Sequence, residues 1–168
     1  AGIGYLSEDR KRYGLCLPLS VADNVALATL EDFTGTLVVN DRKVRQIAHE
    51  YRERISIKAP TVDTKVVSLS GGNQQKVVVA KWLVRNCDIL IFDEPTRGID
   101  VGAKSEIYKL MHQLADEGKS IIMISSEMPE LLRMSDRILV MCEGEKTGEL
   151  DIQEATQEKI MALAAPRI

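Results

Sequence analysis

Apolar residues recur along the chain with two spacings, one typical of amphipathic helices and the other of buried strands. The helical spacing predicts helices over residues 20–30, 41–55 and 102–117. A helix is also predicted over residues 76–85, where a glycine turn and the Lys81/Arg85 spacing outweigh three consecutive valines, and short helices over residues 129–134 and 156–164. Short apolar runs predict strands over residues 2–6, 89–92, 120–125 and 137–142. Gly144 and Gly148 mark a hairpin after the last of these strands. Strands that alternate with helices are typical of an α/β domain.

A polar turn leads into the helix predicted at residues 76–85 through Leu69-Ser70-Gly71-Gly72-Asn73-Gln74-Gln75-Lys76. Ser70 is a favourable N-cap residue, and the two glycines that follow it open the helix. Free backbone N–H groups, the hydroxyl and the positive end of the helix dipole would then converge on one point, which suits a phosphate group. A turn of this kind is also an ordinary helix entry, so by itself it identifies no ligand.

The apolar strand predicted at residues 89–92 ends in two acidic residues, Asp93 and Glu94. Paired carboxylates beside a buried strand destabilise a fold unless a cation or a reaction uses them. Adjacent carboxylates can divide the work, because one can bind a metal ion while the other polarises a water molecule. The pair is therefore a candidate metal and catalytic site.

Composition and charge exclude several classes of protein. The 168 residues, 45% of them hydrophobic, suffice for the core of one domain, and the net charge of −3 provides no basic surface for nucleic acid or an anionic membrane. The three cysteines show no C-x-x-C spacing and are expected to be buried in a reducing compartment. His49 and His112 lack metal-ligand spacing. No apolar stretch approaches the roughly 20 residues that span a bilayer, so membrane association is expected to come through a partner protein.

In this order and spacing, the glycine turn and the acidic strand end resemble the signature and Walker B motifs of ATP-binding cassette (ABC) ATPases. The sequences LSGGNQQK at residues 69–76 and FDEPTRGIDVG at residues 92–102 are most similar to the second nucleotide-binding domain of tandem ATPase subunits. Those subunits drive bacterial monosaccharide importers of the ribose, galactose and xylose type. The resemblance extends over residues 2–164 and implies ATP and Mg²⁺ as cofactors, ATP-driven sugar import as the activity, and the cytoplasmic face of the bacterial membrane as the location.

The resemblance assigns roles to the residues of both motifs. Asp93 would hold Mg²⁺ through water, and Glu94 would polarise the attacking water. Asp100 would lie in the D-loop, which crosses to the opposing ATPase domain. Four residues of the signature would stabilise the γ-phosphate of an ATP held by that opposing domain, namely Ser70, Gly71, Gly72 and Gln74.

Two positions depart from the family pattern. Glu8 stands where the Q-loop usually has a glutamine, and a carboxylate cannot donate a hydrogen bond as an amide does. Ser126 stands where the family usually has a histidine that contacts the γ-phosphate. The ATP site of this domain is therefore expected to hydrolyse ATP poorly.

The 168 residues contain no G-x-x-x-x-G-K-[ST] loop, the Walker A motif that cradles a triphosphate. By resemblance, we expect a P-loop NTPase-like ABC ATPase domain cut just before the Q-loop strand, the C-terminal piece of a tandem protein, which alone is inactive and binds ATP poorly. Residues 9–86 would form its α-helical signature subdomain, residues 1–8 and 87–150 part of a RecA-like core, and residues 151–168 a tail. The expected partners are the first nucleotide-binding domain of the same protein, the transmembrane permease subunits and, indirectly, a periplasmic or extracellular sugar-binding protein.

In the family, the Walker A strand lies between the strands predicted here at residues 120–125 and 137–142. Without it, both strands would have unpaired edges in the middle of a core. We therefore expect either a rearranged sheet or self-association, in which a second copy fills the gap by domain exchange.

Three alternatives remain open. Soluble ABC ATPases of translation or DNA repair share both motifs, although the acidic charge and the lack of a coiled-coil insert or basic linker disfavour them. A non-hydrolysing regulatory half-domain would carry vestigial acids, but Glu94 next to Asp93 argues against complete decay of the site. A purely structural α/β domain would leave the two linked motifs unexplained.

Overall fold

The computed structural model describes residues 2–34 and 38–165, so part of the segment between the helices predicted at residues 20–30 and 41–55 and the end of the predicted tail lie outside the described residues. The chain consists of two compact units, Ala1–Ile124 and Ser125–Ile168. The predicted subdomains, with boundaries at residues 8/9, 86/87 and 150/151, divide the chain differently and stay a prediction.

A three-stranded parallel sheet forms the centre of the first unit. Its central strand β2 (Ile89–Asp93) lies between β1 (Ile3–Leu6) and β3 (Ser120–Ile124). One face of the sheet is buried under helices, and Leu6, Leu90 and Phe92 on that face have no exposed surface. The predicted strands therefore form, and β2 carries its terminal acids out of the core.

Four α-helices accompany this sheet: α1 (Val21–Ala26), α2 (Asp41–Arg54), α3 (Gly71–Val84) and α4 (Val101–Asp116). Ser20 and Asp23 form the predicted capping box of α1, but the helix is shorter than predicted because the chain continues as a 3₁₀-helix from Leu27 to Phe33. A second 3₁₀ turn, Val66–Ser68, precedes α3. None of the helices in the described part of the chain is long and apolar enough to cross a membrane.

The polar run at residues 7–12 is mostly exposed, as its composition indicates, except for Arg10. It leads into a short π-helix, Arg10–Gly14, whose N-cap residue Asp9 accepts a hydrogen bond from the backbone N–H of Arg12. Arg10 is buried although it lies in the most strongly charged segment of the chain. Composition does not indicate the burial of Arg10, because a tertiary contact, and not local polarity, decides it.

The second unit is built on an antiparallel hairpin. Strands β4 (Arg137–Cys142) and β5 (Glu145–Asp151) pair, and α5 (Met128–Met134) and α6 (Gln157–Ala164) accompany them around a small core of Ile138, Val140 and Ile160. The turn consists of Glu143 and Gly144, which both have positive φ. The prediction that Gly148 also marks the turn is wrong, because Gly148 lies within β5. An added Cβ there would come within 2.6 Å of Leu163 Cδ1.

The outer face of the parallel sheet is apolar and only partly covered, and the described part of the sheet has a free edge at β3. Among the described strands, β3 pairs only with β2, and β4 pairs only with β5. Ile3, Tyr5, Ile122 and Ile124 share the outer face and are each about half exposed. The predicted rearrangement of the sheet is therefore not observed in residues 2–34 and 38–165, and self-association stays a prediction.

We expect the 168-residue chain to self-associate through this sheet, because an open strand edge beside an apolar face favours pairing with another chain. Light scattering at increasing protein concentration should report a dimer or larger species. Ile122→Lys, which places a charge on the outer face, should restore a monomer. Val67→Lys introduces the same charge at another exposed apolar residue and should leave the association unchanged. A wild-type chain that stays monomeric at every concentration contradicts the prediction.

Candidate functional site

Helix α3 begins at the predicted glycine turn, with Ser70 at the N-cap position. The sequence predicts that Ser70 caps the helix, but its hydroxyl accepts no bond from a backbone N–H of α3 and instead accepts a hydrogen bond from Asn73 Nδ2 at 2.9 Å. Asn73 Oδ1 accepts a bond from the backbone N–H of Lys58 at 2.7 Å. Ser70 makes no side-chain capping bond to α3, so the N-terminus of the helix keeps the polarity that suits an anion.

The two glycines of this turn permit close packing. A Cβ on Gly72 would lie 2.6 Å from the Cβ of Ala103 in α4, closer than carbon atoms pack. A Cβ on Gly71 would lie 2.8 Å from Arg10 Nη2 and 3.1 Å from Ile99 Cγ2. Both glycines therefore let other segments reach the start of α3, a reason that the sequence did not reveal.

An open cavity of about 290 Å³ lies between the starts of α3 and α4. Ser70, Gly72 and Asn73 line one side, and the other lining residues are Lys58, Asp100, Gly102, Ala103 and Glu106. Gln74 is not among them, because its side chain is buried and its Nε2 donates to the Val66 carbonyl at 3.1 Å. The predicted contact of Gln74 with nucleotide stays a prediction, and its observed contact is with the chain before α3.

Two lysines neutralise the acidic wall of the cavity. Lys58 Nζ donates to Glu106 Oε1 at 2.7 Å, and Lys76 Nζ donates to Oε2 at 2.9 Å. Lys76 is 4% exposed and donates also to the Ser56 carbonyl at 2.9 Å. The hydrogen bond from Lys58, followed by that from Lys76, lowers the pKa of Glu106 from 4.5 to about 2. Glu106 is therefore ionised at neutral pH and holds a buried ammonium group.

Asp93 and Glu94 lie half-buried at the C-terminal end of β2. Tyr5 Oη donates to Asp93 Oδ2 at 2.6 Å, and this hydrogen bond to a carboxylate raises the pKa of Tyr5. The backbone of Glu94 has φ +47°, and its N–H donates to the Ile124 carbonyl at 2.9 Å. A left-handed conformation at a glutamate costs about 1 kcal/mol or more and occurs often at functional sites.

The loop after the two acids, residues 95–100, is the predicted D-loop. Gly98 has φ +68°, a conformation that favours glycine. Asp100 is the N-cap of α4 and accepts a hydrogen bond from the Ala103 N–H at 2.9 Å. Glu8 forms an ion pair with Arg97 of this loop. Asp100 thus ends the loop as the cap of α4, and Glu8 contacts the loop through the side chain of Arg97.

Ser126 belongs to the second unit, in the segment between β3 and α5. In that segment the hydroxyl of the adjacent Ser125 donates to Glu130 and accepts from the Glu127 N–H at 3.0 Å. The predicted role of Ser126 stays a prediction. Within residues 2–34 and 38–165, no cluster of three or more histidine, cysteine, aspartate or glutamate side chains could hold a metal ion.

Sequence reasoning did not single out four residues that the structure places at this site, namely Tyr5, Arg10, Lys76 and Glu106. Tyr5 could have been found from the parallel register, since it pairs with Ile91, two residues before Asp93. Nothing local in the sequence distinguishes the buried Arg10 and Lys76 from exposed basic residues. Their roles depend on partners 20 to 88 residues away in the chain.

A family model matches more than half of the chain. The family model described as ABC transporter matches residues 1–97. The chain belongs to the ABC transporter family. The recognition made from the two motifs and the α/β fold predicted from it are therefore confirmed.

Individual relatives are similar over nearly the whole chain. A "Putative ribose/galactose/methyl galactoside import ATP-binding protein 3" of Burkholderia ambifaria is 60% identical over 167 residues, 99% of this chain and 33% of that protein. A "Xylose import ATP-binding protein XylG" of Geobacillus kaustophilus is 55% identical over 163 residues, 97% of this chain and 32% of that protein. The chain thus spans about a third of the length of these curated relatives.

The fold is that of solved ATP-binding cassettes. A dimeric structure of the cassette MJ0796, in a post-hydrolysis state with ADP and Pi bound, superposes with a TM-score of 0.72 at 24% identity. The match covers 89% of this chain and 62% of that one. At this identity the likeness supports the fold alone.

Proposed function

We propose that the chain is the part of a monosaccharide importer's ATP-binding subunit that supplies the signature, Walker B and D-loop. The observation that carries this proposal is the uncapped N-terminus of α3, which opens with Ser70 and Gly72 onto a cavity shared with the D-loop residue Asp100. The names of the similar proteins, which are sugar-import ATP-binding proteins, support the substrate class. The proposed location is the cytoplasmic face of the bacterial membrane.

In this proposal the signature works on a nucleotide held by a different domain. The 168 residues contain no G-x-x-x-x-G-K-[ST] loop, and the phosphates on which this signature acts would be cradled by the first nucleotide-binding domain, the proposed partner. The N–H groups at the start of α3 and the Ser70 hydroxyl would then stabilise charge on the γ-phosphate when the two domains close. Closure would drive the permease subunits, which receive sugar from a binding protein.

Asp93 has the chemistry that a magnesium site needs. Mg²⁺ is usually held by one or two carboxylates, several waters and the phosphates of the nucleotide, so a single protein carboxylate suffices. Tyr5 occupies Oδ2 of Asp93 and orients the group. Glu94, held by its backbone bond to Ile124, would polarise the attacking water. Bound Mg²⁺ would neutralise charge on the phosphates.

Glu8 and Ser126 support a division of labour between the two ATP sites. Glu8 is engaged with Arg97, and serine at position 126 does not titrate near neutral pH. We therefore propose that the ATP site built on this domain hydrolyses poorly, while its signature serves the competent site of the first domain.

A calorimetric titration of the 168-residue chain with Mg-ATP tests the proposal. We expect no saturation into the millimolar range, a binding free energy weaker than roughly −4 kcal/mol, because the phosphate cradle lies outside these residues. The same titration with Glu94→Gln excludes an effect of ATP turnover on the isotherm. Micromolar binding by both proteins would mean that the chain itself supplies a phosphate cradle, and the signature-donating role would have to be abandoned.

A further inference from the structure

Arg10 reaches from the π-helix after β1 to the D-loop. Its Nη1 donates to the Arg97 carbonyl at 3.0 Å, and its Nη2 lies 3.5 Å from the Gly98 carbonyl oxygen, at the limit of a hydrogen bond. The residue is only 8% exposed. A buried guanidinium is costly unless its donors are used, and these carbonyl contacts offset part of that cost, although Nε is buried without a hydrogen-bond partner among the described residues.

The same guanidinium supports the start of α3. A Cβ on Gly71 would lie 2.8 Å from Arg10 Nη2, so the guanidinium packs against the first signature glycine. The Gly98 carbonyl, 3.3 Å from that same Cβ position, completes the contact. Three segments distant in sequence therefore meet at one side chain.

Glu8, two residues before Arg10, makes a second connection to the same loop. Its carboxylate forms an ion pair with the side chain of Arg97, the residue whose carbonyl accepts from Arg10. Both side chains of this pair are partly exposed, with 66% of Arg97 and 43% of Glu8 accessible. An exposed pair contributes little to stability, so the Glu8–Arg97 pair is a weaker attachment of the loop than the buried Arg10.

We propose that Arg10 is a positioning residue that fixes the D-loop and the signature glycine relative to the segment after β1, with the Glu8–Arg97 pair as a second point of attachment. Movement of residues 8–10 would then move residues 97–98 and the start of α3 together. The consequence for catalysis rests on the proposed function, but the attachment itself is a property of this chain without nucleotide.

Hydrogen exchange of the 168-residue chain, measured without nucleotide, tests the attachment. The N–H groups of Arg97 and Ile99 donate within the loop, to Glu94 and Thr96, and report its opening. Because hydrogen bonds from a charged group are each worth more than neutral ones, Arg10→Gln should speed this exchange by about tenfold relative to the amides of α2. Arg10→Lys keeps the charge but cannot reach both carbonyls, and should show most of the same effect.

Two further comparisons distinguish positioning from general destabilisation. Arg12→Gln, on the same short helix with its guanidinium over the Tyr13 ring, should leave loop exchange unchanged. Glu8→Arg and Arg97→Glu should each speed loop exchange about two- to threefold, and their combination should restore the original rate because the ion pair is reversed. An unchanged ratio of loop to α2 exchange in Arg10→Gln, or a charge reversal without rescue, would overturn the proposal. Tight Mg-ATP binding would instead overturn only the proposed function.

Discussion

Gly72→Ala is expected to destabilise the chain by about 2 kcal/mol, near the middle of the range for overpacking a tight core. The added methyl carbon would lie 2.6 Å from the Cβ of Ala103, so α3 and α4 must separate. Alanine is favoured over glycine within a helix by up to about 1 kcal/mol, and that gain is smaller than the steric cost. Urea denaturation of the two proteins measures the difference.

The facing alanine provides a matched control. Ala103→Gly alone should cost about 1 kcal/mol through helix propensity. In the double variant Gly72→Ala with Ala103→Gly, the methyl group has only moved to the other helix, so most of the steric cost should disappear. If the two changes add without coupling, the contact between α3 and α4 is not the reason for glycine at position 72.

Glu106→Gln is expected to cost about 1–2 kcal/mol at neutral pH, less than the loss of a fully buried partner would. Lys76 is 4% exposed and would lose its negatively charged partner, keeping only neutral acceptors, the Ser56 carbonyl and the new amide oxygen. The cost is moderated because the Glu106 side chain is 40% exposed and solvent screens part of the interaction. Asp63→Asn is the control, since its pair with Arg45 is more than half exposed on both sides and should change stability by less than about 0.5 kcal/mol.

The same carboxylate predicts a pH dependence. The folded-state pKa of Glu106, about 2, lies below its ordinary value of 4.5, so the stabilisation is present above pH 4.5 and is lost as the pH falls toward 2. After allowance for its exposure, we expect about 1 kcal/mol to be lost in this window. Denaturation curves of the wild-type chain and Glu106→Gln should converge as the pH falls. Parallel curves from pH 5 to pH 2 would contradict the assignment.

Most of the fold follows from local pattern. Apolar spacing located α2, α4, β2 and β4, because the side of a helix or strand that faces the core must repeat with the period of that element. Gly118, with φ +88°, ends α4 as its position after the last apolar residue predicts. The run Val77, Val78 and Val79, whose propensity favours a strand, lies fully buried in α3 because packing outweighs the small preference of each residue.

The sequence by itself determined the family and the position of its two motifs, because a helix entry and a strand end are each specified by neighbouring residues. Only the tertiary structure decided which side chains contact one another around these motifs. Gln74 is buried and donates to the Val66 carbonyl, Glu8 pairs with Arg97, and the Arg10 guanidinium packs against Gly71. Arg10 and the carbonyl that it binds lie 87 residues apart, and no local pattern encodes a contact across that separation. The cost of burying each charge is offset only by partners that folding brings together.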